Sequence, residues 1–351
     1  MKALNNIERI QISNSVLISL MNLYEEKGKT FYYDNLFRKD KEAFFKKAFE
    51  ENLECLYKML AFEVTESRMQ SIIKKEITAK NKTEIRMQNI KRALNAIHKS
   101  ENFDLEMSEF SDLSKMLLKD LDKNQFNMTI IEGEKLLNQR KISKRDDLEE
   151  LLILLKINLK KPKLPLTHII INFYVDFINL KIFKKDNSLI GLMMMYGLIL
   201  NNFKSLHYVS FFKYFLQYNE AFKQAEIAAS YYWSNGYAQT EFLTQIIIDI
   251  LGKSYNEIET LAHTYKFEIK LNKTDSIENT IYKLPEIFRK NDLRKNHPTV
   301  SNATIDRTLA RLRDEGKIRP LGKGRSSRWQ QLIERKELNR VKQLSLFEEE
   351  F

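Results

Sequence analysis

Glycine and proline number only 9 and 5 in 351 residues, against roughly 7% and 5% in ordinary proteins. The residues that end helices and turn strands are therefore scarce. A β-sandwich or barrel, with its many turns, is excluded, and the chain is expected to be mainly α. Hydrophobic residues make up 43%, enough for a sizeable core, and the length implies two or three domains.

Cys55 is the single cysteine, so no internal disulfide can form, and no Cys/His spacing suggests a metal site. No cofactor is expected. The opening MKALNNIERIQISNS lacks the continuous apolar run of a signal peptide. The most apolar stretch, 189–200, is shorter than the roughly 20 residues that span a bilayer and reads as a buried helix. The expectation is a soluble, cytoplasmic protein with no membrane partner.

The net charge of +11 is unevenly placed. Residues 289–342 hold 16 Lys/Arg against 6 Asp/Glu, while the last nine residues carry Glu348, Glu349 and Glu350. A basic block in an otherwise balanced chain suits a polyanion. Within it, residues 276–332 read as helix, helix, turn, helix and β-wing. Ile277, Ile281, Leu284 and Phe288 give the first helix its apolar spacing. The basic RKNDLRKNHP follows and stops at Pro298. Ser301 suits an N-cap for a helix over 302–315, and Gly316 suits its end. Ile305, Leu309 and Leu312 are expected to face inward, leaving Asn302, Thr304, Arg307, Thr308 and Arg311 outward. KIRPLGKGRSSRW then reads as strand, Gly-rich turn and strand, with Lys323 and Arg325 at the tip. The stretch VSNATIDRTLARLRDEGKIRPLGKGRSSRW resembles the winged helix-turn-helix family. The resemblance implies double-stranded DNA as partner, with Ser301, Asn302, Thr304, Arg307, Thr308 and Arg311 near the groove and Lys323, Arg325 and Arg328 on phosphates.

Before this block, residues 1–265 read mostly as amphipathic helices. Segments 52–61, 82–97 and 242–261 repeat apolar residues at three- and four-residue spacing. A helix over 166–178 leads through KIFKKDNS into the buried helix. LHYVSFFKYFLQYNEAFKQAEIAASYYWSNGYAQTEFLTQIII follows. This order resembles the Fic (filamentation induced by cAMP) family: a helical arm, a central helix–loop–helix, a helix with a SYYxW-like segment, and a C-terminal winged helix. The family signature H-P-F-x-x-G-N-G-R-x-x-R aligns with KIFKKDNSLIGL. Phe183 and Asn187 match. Lys181 replaces the His, Ile182 the Pro, Lys185 the acidic residue, Asp186 and Ser188 the glycines, and Leu189 and Leu192 the arginines.

The resemblance gives each loss a chemical meaning. The family's His deprotonates a target hydroxyl, and a lysine, mostly protonated at neutral pH, is a poor base. The family's acidic residue holds Mg²⁺, which Lys185 would repel. Asp186 would oppose a triphosphate, and Leu189 offers it no charge. VTESRMQS at 64–71 occupies the place of the family's inhibitory helix without its Glu-Gly/Asn end. The resemblance thus implies a catalytically degenerate Fic-fold protein, a pseudoenzyme. An active nucleotidyltransferase using other residues for protein AMPylation, and a protein-binding module of a toxin or defence system, are the alternatives.

Other chemistry is thin. His98, His168, His207, His263 and His297 are scattered and read as surface or core residues. Tyr231, Tyr232 and Trp233 read as a packed aromatic cluster. The terminal Gln343-Leu344-Ser345-Leu346-Phe347 resembles the Q-L-x-L-F peptide that docks on the bacterial β sliding clamp. Leu344, Leu346 and Phe347 would fill apolar pockets there while Gln343 bonds at the rim. The expected organisation is a helical arm over 1–80, a Fic-like helical core over 81–265, a winged helix over 276–332 and a tail over 333–351. Function is expected to be that of a bacterial DNA-binding regulator or scaffold, with a homodimer as a further candidate assembly.

Overall fold

The computed structural model describes residues 2–10, 12–100, 106–123, 125–132, 139–161, 163–270, 273–322 and 328–332. The chain divides into two compact units, residues 1–35 with 45–258, and residues 36–44 with 259–351.

Among the described residues, the first unit is helical apart from one hairpin and an isolated bridge. Its elements are α1 (Asn14–Gly28), α2 (Thr30–Phe37), α3 (Lys41–Met59), α4 (Glu66–Lys74), α5 (Lys82–Lys99), α6 (Met107–Leu118), β1 (Met128–Glu132), β2 (Gln139–Ser143), α7 (Arg145–Leu159), α8 (Leu166–Leu180), α9 (Asn187–Asn202), α10 (Phe211–Tyr231) and α11 (Glu241–Lys270). The ends of α2, α3 and α11 belong to the second unit. β1 and β2 pair antiparallel, with Met128 opposite Ser143, a hairpin that helical periodicity did not announce. At the centre, α8 packs on α9 and on α7, and α9 also meets α5 and α6. Every residue of α9 from Leu189 to Leu200 is buried, as the apolar run requires. Gly191 permits the close approach to α8. A Cβ there would lie 3.0 Å from the Phe177 ring and 3.3 Å from that of Tyr174.

The apolar α8 also buries a polar row, His168, Asn172 and Asp176, at four-residue spacing. Asp176 accepts hydrogen bonds from the backbone N–H of Lys2, Ala3 and Leu4 and from Trp233 Nε1 at 2.6 Å. That explains Trp233, but its neighbours differ from expectation. Tyr231 and Tyr232 are 74% and 46% exposed, because α10 ends at Tyr231 and the pair lies past its last buried turn.

The second unit holds α12 (Lys273–Lys283), β3 (Ile287–Arg289), α13 (Lys290–Asn296), α14 (Asn302–Asp314), β4 (Ile318–Pro320) and β5 (Arg328–Gln331). Its sheet is antiparallel in the order β3-β5-β4. Ile277, Ile281, Phe288, Leu293, Ile305, Leu309, Leu312 and Ile318 form one core, with Leu284, Val300 and Trp329 packed against it. Phe288 reaches that core from a strand instead of from the end of the first helix. Its N–H and carbonyl pair with β5 opposite Trp329, and sheet pairing outweighs the helical spacing there.

No helix among the described residues is long and apolar enough to cross a membrane. The mainly α architecture with a small α+β unit is the one expected from sequence.

Candidate functional site

The connection between α8 and α9 is organised by a local clamp and by a strand-like neighbour. Lys181 closes α8 in the left-handed conformation, and Asp186 opens α9 in the same region, with φ of 49° and 56°. Asn187, the first residue of α9, turns back on the loop. Its Oδ1 accepts from Phe183 N–H at 2.9 Å, and its Nδ2 donates to the Phe183 carbonyl at 2.6 Å. Ile182 and Phe183 are buried, and the Phe183 ring stacks on Phe126 at 5.1 Å. Residues 125–127 run antiparallel to the loop. Asn127 N–H donates to the Ile182 carbonyl, and Lys184 N–H donates to the Gln125 carbonyl. The edge of the loop is thereby already paired by the chain itself.

The charged loop residues are paired as well. Asp186 Oδ1 lies 2.7 Å from Arg86 Nη2, reaching across from α5. Lys185 binds the Asp122 carboxylate, and that hydrogen bond, with help from Lys123 N–H, holds the Asp122 carboxyl below its usual range. A cavity of about 610 Å³ opens here, lined by Phe62, Lys82, Thr83, Arg86, Leu118, Leu121, Asp122, Lys185 and Asp186. Leu189 and Leu192 are buried and do not line it, so nothing at the two aligned arginine positions can bind an anion. Ser188 is exposed. Among the described residues no three metal-ligating side chains gather.

Arg86 and Asp122 carry no sequence signal, since neither sits in a motif and their partners, Asp186 and Lys185, lie 100 and 63 residues away.

Upstream, Thr65 caps α4, the helix at the 64–71 segment. Arg68 faces Glu84 in a bidentate pair, Nε to Oε1 at 2.8 Å and Nη2 to Oε2 at 2.7 Å. Those bonds, joined by Lys80 N–H and opposed by burial, lower the Glu84 carboxyl to about 2. Two of the histidines are hydrogen-bonded within their own units. His98 Nε2 meets Tyr196 Oη at 2.8 Å, and His297 Nε2 meets Thr280 Oγ1 at 2.7 Å.

In the second unit, Ser301 caps α14 by accepting from Thr304 N–H at 3.2 Å, and Gly316 ends it at φ 69°. Ser301, Asn302 and Arg307 are exposed, and Thr304 is half-buried with its hydroxyl 2.9 Å from that of Ser301. Thr308 contradicts the outward expectation: it is 1% exposed and donates to the Thr304 carbonyl. It stands three residues after Ile305 and four before Leu312, which puts it on the inner stripe. Arg311 is half-buried and turned to Glu278 and Glu315. Arg328 is exposed at the start of β5, opposite Arg289. Lys323, Arg325 and the peptide Gln343, Leu344, Leu346 and Phe347 lie outside the described residues.

With this geometry in view, the comparisons with known proteins bear on the fold. The crystal structure of a Fic family protein from Desulfovibrio desulfuricans G20 matches over 92% of this chain and 98% of its own, with TM-score 0.55 and 13% identity. A Fic domain-containing signaling protein from Bacteroides thetaiotaomicron VPI-5482 covers 70% of this chain and 97% of its own, with TM-score 0.46 and 14% identity. No protein-family profile matches the sequence, and no curated protein matches it. The chain has a Fic-like fold, as the loop and its flanking helices suggested.

Proposed function

We propose that this chain is a DNA-binding regulator or scaffold built on a Fic-like body that does not transfer nucleotides. The observation that carries the DNA-binding part is α14, a capped helix presenting exposed Asn302 and Arg307 from a unit ordered helix, strand, helix, helix, strand, strand. That order supports the winged-helix reading. β4 and β5 flank the stretch of sequence that includes Lys323 and Arg325, all within the basic block of the chain. An exposed helix with an amide and a guanidinium suits base edges and phosphates of a major groove.

Support for a non-catalytic body comes from the loop. A base, a metal-holding carboxylate and an anion clamp would have to come from Lys181, Lys185 and Leu189. Of these, Lys185 is tied to Asp122 and Leu189 is buried. Residues 125–127 also pair with the loop edge at Ile182–Lys184.

Duplex binding followed by gel shift at about 50 and about 200 mM salt tests the first part. Arg307→Ala combined with Asn302→Ala is expected to weaken binding and flatten its salt dependence. Unchanged binding would remove the assignment. Incubation with labelled ATP and Mg²⁺ tests the second, and label transferred to any protein would refute it. Recruitment to the β sliding clamp through Gln343–Phe347 predicts that truncation after Lys342 abolishes recovery in a clamp pull-down.

A further inference from the structure

Not all cations of the basic block are free to meet a polyanion. Glu278, on α12, has only 14% of its side chain exposed. It accepts hydrogen bonds from Arg311 Nη2, from Lys317 Nζ at 2.7 Å and from Tyr282 Oη at 2.6 Å. Burial would raise its carboxyl pKa, but the bonds from Lys317, Tyr282 and Arg311 outweigh burial and hold it below the usual range. Glu315, just past α14, accepts from Arg311 Nη1 at 3.0 Å and pairs with Lys317 at 2.8 Å. Two cations and two carboxylates therefore close a ring that joins α12, the end of α14 and the turn into β4. Arg311 Nε is itself buried, without a partner among the described residues.

Such a ring resists being opened. Swinging Arg311 out to a phosphate would leave Glu278 mostly buried with one fewer donor, and removing one partner of a buried charge is costly. Arg307, one turn earlier, has a different situation. Its Nε bonds the Ala303 carbonyl of its own helix, and among the described residues no carboxylate pairs with it.

We infer that Arg311 is a positioning residue and not a DNA contact: the Glu278–Arg311–Glu315–Lys317 ring seats α14, and the duplex is met by the N-terminal half of that helix through Asn302 and Arg307. This rests on the DNA-binding reading above and changes its residue set. A bidentate guanidinium is needed because Arg311 reaches two carboxylates at once. A lysine there would keep the charge but could not fork between them.

The test uses the full chain, a short duplex of mixed sequence, and titrations between about 50 and about 200 mM salt. Arg307→Ala is expected to reduce the slope of log affinity against log salt by about 1, the loss of one phosphate contact. Arg311→Met is expected to leave the slope unchanged while lowering affinity several-fold, because α14 loses part of its seating. Arg311→Lys is expected to leave the slope unchanged while lowering the thermal midpoint of unfolding. In a double-mutant cycle, Arg311→Met and Glu278→Gln should be less damaging together than the sum of each alone. A slope reduced by about 1 in Arg311→Met, or additive effects on unfolding, would overturn the inference while leaving DNA binding intact. A wild-type chain that does not bind duplex at either salt would remove the DNA-binding reading and this inference with it.

Discussion

Asp186 and Arg86, a hundred residues apart in sequence, meet at 2.7 Å beside the first turn of α9. The aspartate holds a left-handed backbone, φ 56°, at a position where the Fic signature has glycine. Two opposing effects follow at one residue. The left-handed conformation costs a non-glycine residue about 1 kcal/mol or more, while a partly exposed ion pair returns about 0–1 kcal/mol.

Asp186→Ala is therefore expected to lose the pair and keep the backbone cost, destabilising by about 1 kcal/mol. Asp186→Gly loses the pair but relieves the backbone, and should be more stable than the alanine variant by about 1 kcal/mol. Urea unfolding of the two variants checks the order; the reverse ranking would show that this backbone carries no such strain.

Asp176 fixes the start of the chain. It is fully buried and receives three consecutive backbone N–H groups together with the Trp233 indole. Asparagine in its place would direct an NH₂ group at some of these donors. Asp176→Asn should cost about 3 kcal/mol, and removal of residues 1–4 should produce a similar loss. The two changes address one set of bonds, so combining them should add little. Thermal unfolding of the single and combined variants decides it; full additivity would contradict the arrangement.

His98 makes stability depend on acid. Burial, with the charge of His207 second, pushes its pKa down to about 3, against about 6.5 in an unfolded chain. The unfolded chain therefore takes up a proton that the folded chain refuses. The contribution is complete above about pH 6.5 and is lost as pH falls toward 3. A decrease on the order of 1 kcal/mol is expected between pH 6.5 and pH 5.5. His98→Gln should show a shallower decrease over that window in urea titrations, and identical slopes would exclude His98 as the source.

Thr308 is buried in the second unit with its hydroxyl satisfied by the Thr304 carbonyl. Replacing it by valine keeps the shape and removes a hydroxyl and its local bond together. Thr308→Val is expected to change stability by less than about 1 kcal/mol and to leave duplex affinity unaltered. A clear loss of duplex affinity in a folded variant would return Thr308 to the DNA-facing set.

Much of the fold was legible because its signals are local. The Ser301 cap, the Gly316 stop and the inward Ile305, Leu309 and Leu312 depend on backbone geometry within a few residues, and all three stand as expected. The buried α9 follows from an unbroken apolar run. Thr308 was missed for a reason of the same kind, since a threonine on an apolar stripe looks polar until its hydroxyl is seen to bond its own helix. Phe288 was missed because a three-residue strand has too few residues to show a period.

By itself the sequence determined a mainly helical chain with a basic C-terminal unit, because scarcity of turn residues, apolar spacing and charge act through short stretches of chain. Only the tertiary structure decided which charges answer each other. Arg86 with Asp186, Arg311 with Glu278, and residues 125–127 against the α8–α9 loop are pairings between distant segments. Coulomb attraction and strand pairing depend on separation in space, and separation along the chain does not encode it.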